Sequence, residues 1–239
     1  MTLYYLPQDC IAFPPVEDAE PDGLLALGGD LSVPRLLAAY ARGIFPWYNE
    51  GVPILWWSPD PRLILEPREY RISHRLRRFL NQRRFSVTVD TAFGRVIRGC
   101  AQAERPQGPG TWIIDDMVTA YIALHRAGHA HSVEVWAAGD EGGELLGAIY
   151  GVSLGRAFFG ESMFFRRPNF SKVALAYLVR LLRHWEFHFL DCQQTTAHML
   201  GYGAREIPRT EFRDRLESAL EIPAEPGPWS FPVDMDRRF

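Results

Sequence analysis

HSVEVWA at residues 131–137, ELLGAIYGV at 144–152 and RAFFG at 156–160 are three apolar runs separated by glycine-containing turns. Runs of this length, rich in β-branched and aromatic residues, predict consecutive strands, and the short turns between them favour antiparallel pairing. A helical pattern opening at Ser171 and a strand at 187–193 follow. Three antiparallel strands, a helix and a further strand predict an α+β fold with helices on a mixed sheet. This order is compatible with the N-acetyltransferase-like (GNAT) fold.

Upstream of these strands, the pattern changes near residue 62. Ser73 is placed to cap a helix, a second helix is expected from about Thr91, and a third ends near Gly128. The first sixty residues are instead rich in proline and glycine, and prolines flank Asp60. We therefore predict a small N-terminal α/β domain at 1–62, followed by a mixed-sheet catalytic domain at 63–239.

The composition is that of a globular protein, with 47% hydrophobic and 23% charged residues. No run approaches the roughly 20 apolar residues that a membrane span requires, and the N-terminus lacks the pattern of a signal peptide. The three cysteines show no disulfide or metal-ligand spacing. We therefore expect a cytoplasmic protein that has no membrane partner. Nothing in the sequence demands an assembly, so we expect a monomer.

A basic stripe interrupts a chain whose net charge is −3. Between residues 68 and 84 there are seven arginines against one acid, Glu69. Such a stripe is typical of a surface that binds a polyanion, although a solvated helix face has the same pattern. Arginine is the usual cation of this chain, and Lys172 is its only lysine.

The common cofactor signatures are absent from the sequence. The segment 164–171, which precedes the long helix, contains no glycine and therefore does not resemble a coenzyme A pyrophosphate loop. There is also no Walker loop and no dinucleotide fingerprint. His125, His129 and His131 lack a fourth ligand nearby. We expect no cofactor and no metal.

Candidate catalytic residues lie at the end of strand 187–193. Side chains alternate across a strand, so Asp191 and Gln193 share one face and Cys192 points to the other. A carboxylate beside a carboxamide can orient and polarise an amine nucleophile. The alternative is that Asp191 caps the next helix near Thr195.

Glu161 is a second candidate, because it lies among apolar and small residues from Phe158 to Phe164. A carboxylate in such surroundings needs a partner, which is either a substrate cation or a structural cation such as Lys172 or Arg166. Phe159 and Met163 suit a pocket for a large apolar side chain.

Nine motifs in this order resemble the leucyl/phenylalanyl-tRNA–protein transferase family. They are GLLALGGDL (23–31), GIFPW (43–47), WWSPDPR (56–62), GTWI (110–113), HAHSVE (129–134), YGV (150–152), GESMF (160–164), SK (171–172) and DCQ (191–193). The resemblance covers residues 10–220. Gly201-Tyr202 departs from it, because the family usually has a serine-leucine pair there.

The resemblance implies an enzyme that transfers Leu or Phe, and less readily Met, from Leu-tRNA or Phe-tRNA to the N-terminal Arg or Lys of a protein, which marks that protein for degradation in the bacterial N-end rule pathway. Asp191 and Gln193 would act on the acceptor amine, and Glu161 would help to orient it. Trp47 and Trp112 resemble residues near the terminal adenosine, and Met163 and Phe159 would line the aminoacyl pocket. The tRNA would bind the basic stripe through six of its arginines, which are Arg71, Arg75, Arg77, Arg78, Arg83 and Arg84.

Two other functions fit parts of the pattern. One is a coenzyme A-dependent N-acetyltransferase, against which the missing phosphate loop argues. The other is a non-catalytic module that binds RNA or protein N-termini. The joint presence of Glu161, Asp191 and Gln193 favours catalysis over the second alternative.

Overall fold

The computed structural model describes residues 3–103, 112–139, 142–223, 226–233 and 239. Within these residues the α-helices are α1 (Val33–Tyr40), α2 (His74–Asn81), α3 (Phe93–Ala101), α4 (Asp115–Arg126), α5 (Phe170–His184), α6 (Ala197–Leu200) and α7 (Arg209–Leu220). The strands are β1 (Tyr4–Leu6), β2 (Leu24–Gly28), β3 (Phe45–Pro46), β4 (Leu55–Trp57), β5 (Arg62–Leu65), β6 (Phe85–Val89), β7 (Ala130–Ala137), β8 (Leu145–Leu154), β9 (Ala157–Phe165), β10 (Phe189–Gln193) and β11 (Arg205–Ile207).

The strands form two sheets. The smaller has the order β1-β2-β4-β3, and the larger has the order β11-β5-β10-β9-β8-β7-β6. In the larger sheet β9 and β10 run parallel, whereas the other neighbours are antiparallel. The predicted mixed sheet with packed helices is therefore confirmed.

The central strands are buried on both faces, because helices cover both sides of the large sheet. On β8, Leu146 and Ile149 pack into a core shared with α2 and α5. Ala148 and Tyr150 point the other way, into a core shared with α1, α3, α4 and α7. We call these the α5-side core and the α1-side core. From Ala148 to Tyr150 successive side chains enter opposite cores, as a strand buried on both faces requires, whereas an irregularity in the pairing with β7 shifts this pattern before Ala148.

Local signals place most of these elements where the sequence predicts them. The Ser73 hydroxyl caps α2 by accepting the Leu76 N–H at 3.1 Å. The long helix begins at Phe170, one residue before the predicted start at Ser171, and it follows Asn169, whose φ is +77°. Strand β9 also runs past Gly160 to Phe165, which places Glu161 inside the strand rather than beyond it.

Candidate active site

Strands β9 and β10 separate where the candidate residues lie. Their parallel pairing ends at Phe159 and Asp191. Beyond that point β9 has an irregularity opposite Gly151, and β10 has one between Asp191 and Gln193, where Gln193 adopts a φ of +60°. Irregularities of this kind redirect side chains. The side chains of Glu161 and Gln193 meet across the opening, with Gln193 Nε2 donating to Glu161 Oε1 at 2.9 Å.

Glu161 is almost completely buried, with 8% of its surface exposed, and has no cationic partner in the described chain. Its oxygens accept hydrogen bonds from the Tyr40 hydroxyl at 2.8 Å and from the Tyr121 hydroxyl at 3.1 Å, in addition to Gln193. Burial raises the pKa of Glu161 to about 7, with a smaller contribution from the charge of Asp191, and the three hydrogen bonds oppose that rise. The carboxyl group therefore titrates near neutral pH.

Two helices supply the tyrosines around Glu161. Tyr40 is the last residue of α1, and Tyr121 lies in the middle of α4. Their hydroxyl oxygens also contact each other, and burial raises the pKa of both tyrosines well above its usual value. Both tyrosines therefore stay protonated and act as donors. The alternative that Glu161 pairs with Lys172 or Arg166 is wrong.

Asp191 is held by Arg62 in a buried bidentate pair. Arg62 Nε donates to Asp191 Oδ1 at 2.9 Å and Nη2 donates to Oδ2 at 2.7 Å, and both residues are at most 1% exposed. The guanidinium also donates to the Gly43 carbonyl at 3.0 Å and lies over the rings of Phe45 and Phe212. A fork of this geometry fixes both oxygens of the carboxylate.

Asp191 also fixes the backbone of Gln193, because its Oδ1 accepts the Gln193 N–H at 2.8 Å. This bond stabilises the left-handed backbone conformation that turns the Gln193 side chain toward Glu161. The next helix, α6, is capped by Thr196 through the Met199 N–H at 3.3 Å. The alternative that Asp191 caps this helix is therefore wrong.

Cys192 points to the opposite face, as strand alternation predicts, and packs against the α5-side core. Burial raises the pKa of its thiol, and the neighbouring carboxylate of Asp191 adds to that rise. The thiol is therefore protonated at neutral pH and is a poor nucleophile.

The residues predicted for the aminoacyl and adenosine sites are spread over different places. Trp47 is 37% exposed beside the Trp57 ring, and Trp112 is partly buried against the α1-side core. Phe159 is fully buried and packs on Tyr40, at 5.0 Å between ring centroids. Met163 lies on the other face of β9, against the α5-side core. The structure thus does not bring Phe159 and Met163 together in one pocket, and their roles stay predictions.

The six predicted tRNA-binding arginines lie on or next to α2, and all are exposed. In the described parts of the chain none of them forms a salt bridge. The stripe is therefore a free cationic surface rather than a set of structural ion pairs.

The three histidines considered for metal binding have separate environments. His131 Nδ1 lies 2.7 Å from Asp90 Oδ2, and its ring stacks on Trp229 at 3.9 Å. His125 Nδ1 lies 2.8 Å from the Ala130 carbonyl. No group of three or more candidate metal ligands occurs within the described residues. In the same part of the chain, no helix has the length and apolarity needed to cross a membrane.

Sequence reasoning did not assign Tyr40, Tyr121 or Arg62 to the site. In the sequence the two tyrosines fit the apolar faces of their helices, and nothing local indicates their hydroxyl contacts. Arg62 did leave a signal, since it is the one charge in an otherwise apolar strand, RLIL. A buried arginine and a buried aspartate in the same sheet are natural partners.

Comparisons with known proteins show the family of this chain. Residues 64–217 match the family model described as Leucyl/phenylalanyl-tRNA protein transferase, and residues 29–60 match the model of its N-terminal domain. A relative from Oleidesulfovibrio alaskensis is 54% identical over 97% of this chain and 94% of its own length. One from Nitratidesulfovibrio vulgaris is 53% identical over 98% of both chains. One from Syntrophobacter fumaroxidans is 58% identical over 89% of this chain and 88% of its own. All three are named leucyl/phenylalanyl-tRNA–protein transferase.

Proposed function

The chain belongs to the leucyl/phenylalanyl-tRNA–protein transferase family and is an aminoacyltransferase, and from this premise we propose that it transfers Leu or Phe, and less readily Met, from aminoacyl-tRNA to the N-terminal Arg or Lys of acceptor proteins. The product would be a substrate for N-end rule degradation in the bacterial cytoplasm. The observation that carries the proposal is the pair formed by Glu161 and Gln193 where β9 and β10 separate.

This reaction needs little from the protein beyond positioning and one proton transfer. An aminoacyl ester is already activated, so formation of the amide requires no ATP and no coenzyme A. The acceptor arrives largely as an ammonium ion, because α-amino groups have a pKa of roughly 7.7–8.0. It must lose a proton before it can attack the ester carbonyl.

Glu161 is the group we assign to accept that proton. Its two carboxylate oxygens accept three hydrogen bonds, two at Oε1 and one at Oε2. A carboxylate has about four acceptor sites, so Oε2 retains one for an incoming ammonium. A pKa of about 7 also lies close to that of the amine, which is the match that efficient proton transfer requires.

Gln193 orients the amine in this proposal. Its Nε2 donates to Glu161, which leaves its carbonyl oxygen without a hydrogen-bond partner in the described chain. That oxygen would accept an N–H from the acceptor. Asp191 keeps its place in the site as a positioning residue, because Arg62 and the Gln193 N–H occupy its oxygens.

The proposed step conserves atoms and charge. One N–H proton of the ammonium passes to Glu161, and the freed nitrogen lone pair attacks the carbonyl carbon of the ester. When the tetrahedral intermediate collapses, the C–O bond to the ribose breaks and the amide forms. A second proton from the nitrogen goes to the departing ribose oxygen, and Glu161 then releases its proton to solvent.

The binding roles predicted for the other residues remain part of the proposal. The exposed ring of Trp47 offers a stacking surface for the terminal adenosine, together with Trp112. Met163 and Phe159 stay assigned to the aminoacyl side chain. The six stripe arginines would bind phosphates of the tRNA.

We also propose that the large sheet is an N-acetyltransferase-like domain at 63–239, preceded by a small domain at 1–62. The element order β6-α3-α4-β7-β8-β9-α5-β10, with β9 and β10 diverging, supports the first statement. The small sheet ends at Trp57 and the large one begins at Arg62, which supports the second. We expect the enzyme to act as a monomer.

A transfer assay tests this proposal. Phe-tRNA carrying labelled Phe is incubated with the protein and a peptide that has N-terminal Arg, without ATP, metal or coenzyme A. We expect label in the peptide, little label with an N-terminal Asp peptide, and strong loss of turnover in Glu161→Gln and Gln193→Ala. Cys192→Ala is the control and should retain activity. Absence of transfer by the wild-type protein would refute the proposal and leave binding of RNA or acetyl transfer as alternatives.

A further inference from the structure

A groove beside the arginine stripe brings together three of its arginines and the single lysine of the chain. It has a volume of about 710 Å³, which lies within the roughly 300–1,000 Å³ of typical ligand sites. Its cations are Arg71, Arg75, Arg78 and Lys172, and none of the described residues that line it is acidic. Arg77, Arg83 and Arg84 lie outside the groove. We call this the Lys172 groove.

The walls of the Lys172 groove continue from the two strands that carry the candidate site. After β9, which carries Glu161, the chain forms one wall with Pro168, Asn169 and Lys172. After β10, which carries Gln193, it passes through α6 and forms another wall with Gly201 and Tyr202. Helix α2 closes the third side. The groove thus lies between the exposed stripe and the segments that follow the carboxyl ends of β9 and β10.

The position of Lys172 costs stability unless a ligand uses its charge. It lies in the first turn of α5, where the helix dipole disfavours a cation, and this turn contains no acid. Lys172 forms no salt bridge in the described parts of the chain. Burial and the charge of Lys172 lower the pKa of His198 on α6, so the ammonium lies near that helix.

We infer that the Lys172 groove binds backbone phosphates of the tRNA near its aminoacylated end, and that Lys172 is a positioning residue that contacts one phosphate directly. The inference rests on the proposed function, because it takes the polyanion to be aminoacyl-tRNA. Four cations without a counter-charge suit a phosphodiester backbone, which is read by charge and not by base. The contact would hold the RNA between the stripe and the separation of β9 and β10.

Salt dependence of binding tests this contact. The probe is a deacylated minihelix that contains the acceptor stem and the 3′ CCA, titrated between 50 and 200 mM salt. Loss of one phosphate contact reduces the slope of log K against log salt by about 0.9 for a duplex or 0.7 for a single strand. For a duplex contact, the affinity ratio of wild type to Lys172→Gln should fall by about 3.5-fold over that range.

Two variants control for charge and fold. Lys172→Arg keeps the cation and should retain the wild-type slope. Arg126→Gln removes an exposed charge at the end of α4, away from the groove, and should also leave the slope unchanged. If Lys172→Gln binds with the wild-type slope, or if Arg126→Gln lowers the slope equally, the inference is overturned.

A second measurement locates the phosphate. Minihelices with single neutral methylphosphonate linkages are compared on the wild type and on Lys172→Gln. One linkage should weaken binding to the wild type but have no further effect on the variant, which is the coupling expected of direct partners. Fully additive losses of affinity at every linkage would contradict a direct contact. So would an acidic peptide that competes for the protein as well as the minihelix does.

Transfer kinetics separate failure of this inference from failure of the proposed function. Lys172→Gln should raise the KM for Phe-tRNA by about the factor lost in minihelix affinity and leave kcat close to wild type. If the wild type transfers Phe and the variant has an unchanged KM, the groove inference alone is wrong. If Lys172 contributes to minihelix binding but the wild type transfers nothing, the groove inference stands and the proposed function fails.

Discussion

Replacing Tyr40 by Phe should shift the pH dependence of transfer toward higher pH. The Tyr40 hydroxyl donates to Glu161 Oε1 at 2.8 Å, and this bond lowers a pKa that burial raises to about 7. A hydrogen bond to a charged group contributes about 1.5–3 kcal/mol, and 1.36 kcal/mol corresponds to one pKa unit. Because Tyr121 still donates to the carboxylate, we expect a rise of about one unit, at the lower end of that range.

The consequence for rate follows from the ionised fraction. If Glu161 must be ionised to accept the proton, about half of the wild-type enzyme is competent at pH 7, against about one tenth of Tyr40→Phe. The variant should therefore be about five-fold slower at pH 7 and approach the wild-type rate at pH 9. Tyr121→Phe removes a longer bond, of 3.1 Å, and should shift the profile less.

Single-turnover transfer from Phe-tRNA to an Arg-initiated peptide, measured from pH 5.5 to 9 with spontaneous ester hydrolysis subtracted, checks this prediction. The α-amine of the peptide also titrates in this range, but it is common to all enzymes, so a shift between variants reports the protein. Tyr48→Phe is the matched control, because the buried Tyr48 hydroxyl has no hydrogen-bond partner among the residues that the structure describes. If Tyr40→Phe lowered the rate by one factor at every pH, Glu161 would not be the proton acceptor.

Three further predictions concern stability and RNA binding. The folded-state pKa of Glu161 lies above its unfolded value, so its contribution to stability is present at pH 4 and is lost as pH rises to 7, by roughly 3 kcal/mol at most. The free energy of unfolding of Glu161→Gln, measured with denaturant, should therefore depend less on pH than that of the wild type. The same pH dependence in both proteins would contradict the raised pKa. Asp191→Asn should destabilise the fold by about 3–5 kcal/mol because it leaves the Arg62 charge unpaired. The double variant Arg62→Met with Asp191→Leu should recover much of that stability without restoring transfer, and equal stability of the single and double variants would refute this. Charge reversal at Arg77 and Arg78 should weaken tRNA binding at low salt and have less effect at high salt; unchanged affinity at low salt would show that the stripe is not the docking surface.

The sequence predicted the elements whose signals are local. Strands β7, β8 and β9 are long, mostly buried and separated by glycine-containing turns, so their composition predicts them, although the third runs past the predicted end at Gly160 to Phe165. Strands β5 and β11 have four and three residues, and their pairing partners lie far along the chain. A strand this short carries too little pattern to be distinguished from a loop. The sequence analysis accordingly placed only a domain boundary near residue 62.

The same distinction between local and distant contacts explains the outcome at the site. Alternation along β10 correctly separates Asp191 from Cys192, but Gln193 reaches Glu161 through a strand irregularity and a left-handed backbone conformation, which alternation does not predict. The partners of these residues come from distant segments: Arg62 is 129 residues from Asp191, and Tyr40 is 121 residues from Glu161. No periodicity encodes such pairs, so one sequence could not show that Arg62 occupies the carboxylate first proposed to act on the amine.

These distant contacts also bear on the boundary predicted at residue 62. The chain before it supplies Tyr40 to Glu161, and the Gly43 carbonyl and the Phe45 ring to Arg62. The α1-side core likewise contains Leu36 and Trp56 together with Phe159 and Phe189. Without the chain before residue 62, Glu161 would therefore have one fewer hydrogen-bond donor, and one N–H of the Arg62 guanidinium would be unsatisfied. Both groups are buried, where each such loss costs about 1–3 kcal/mol. The hydrogen bonds around Glu161 and Arg62 thus depend on residues from both sides of the boundary, and the small N-terminal segment is part of the candidate site.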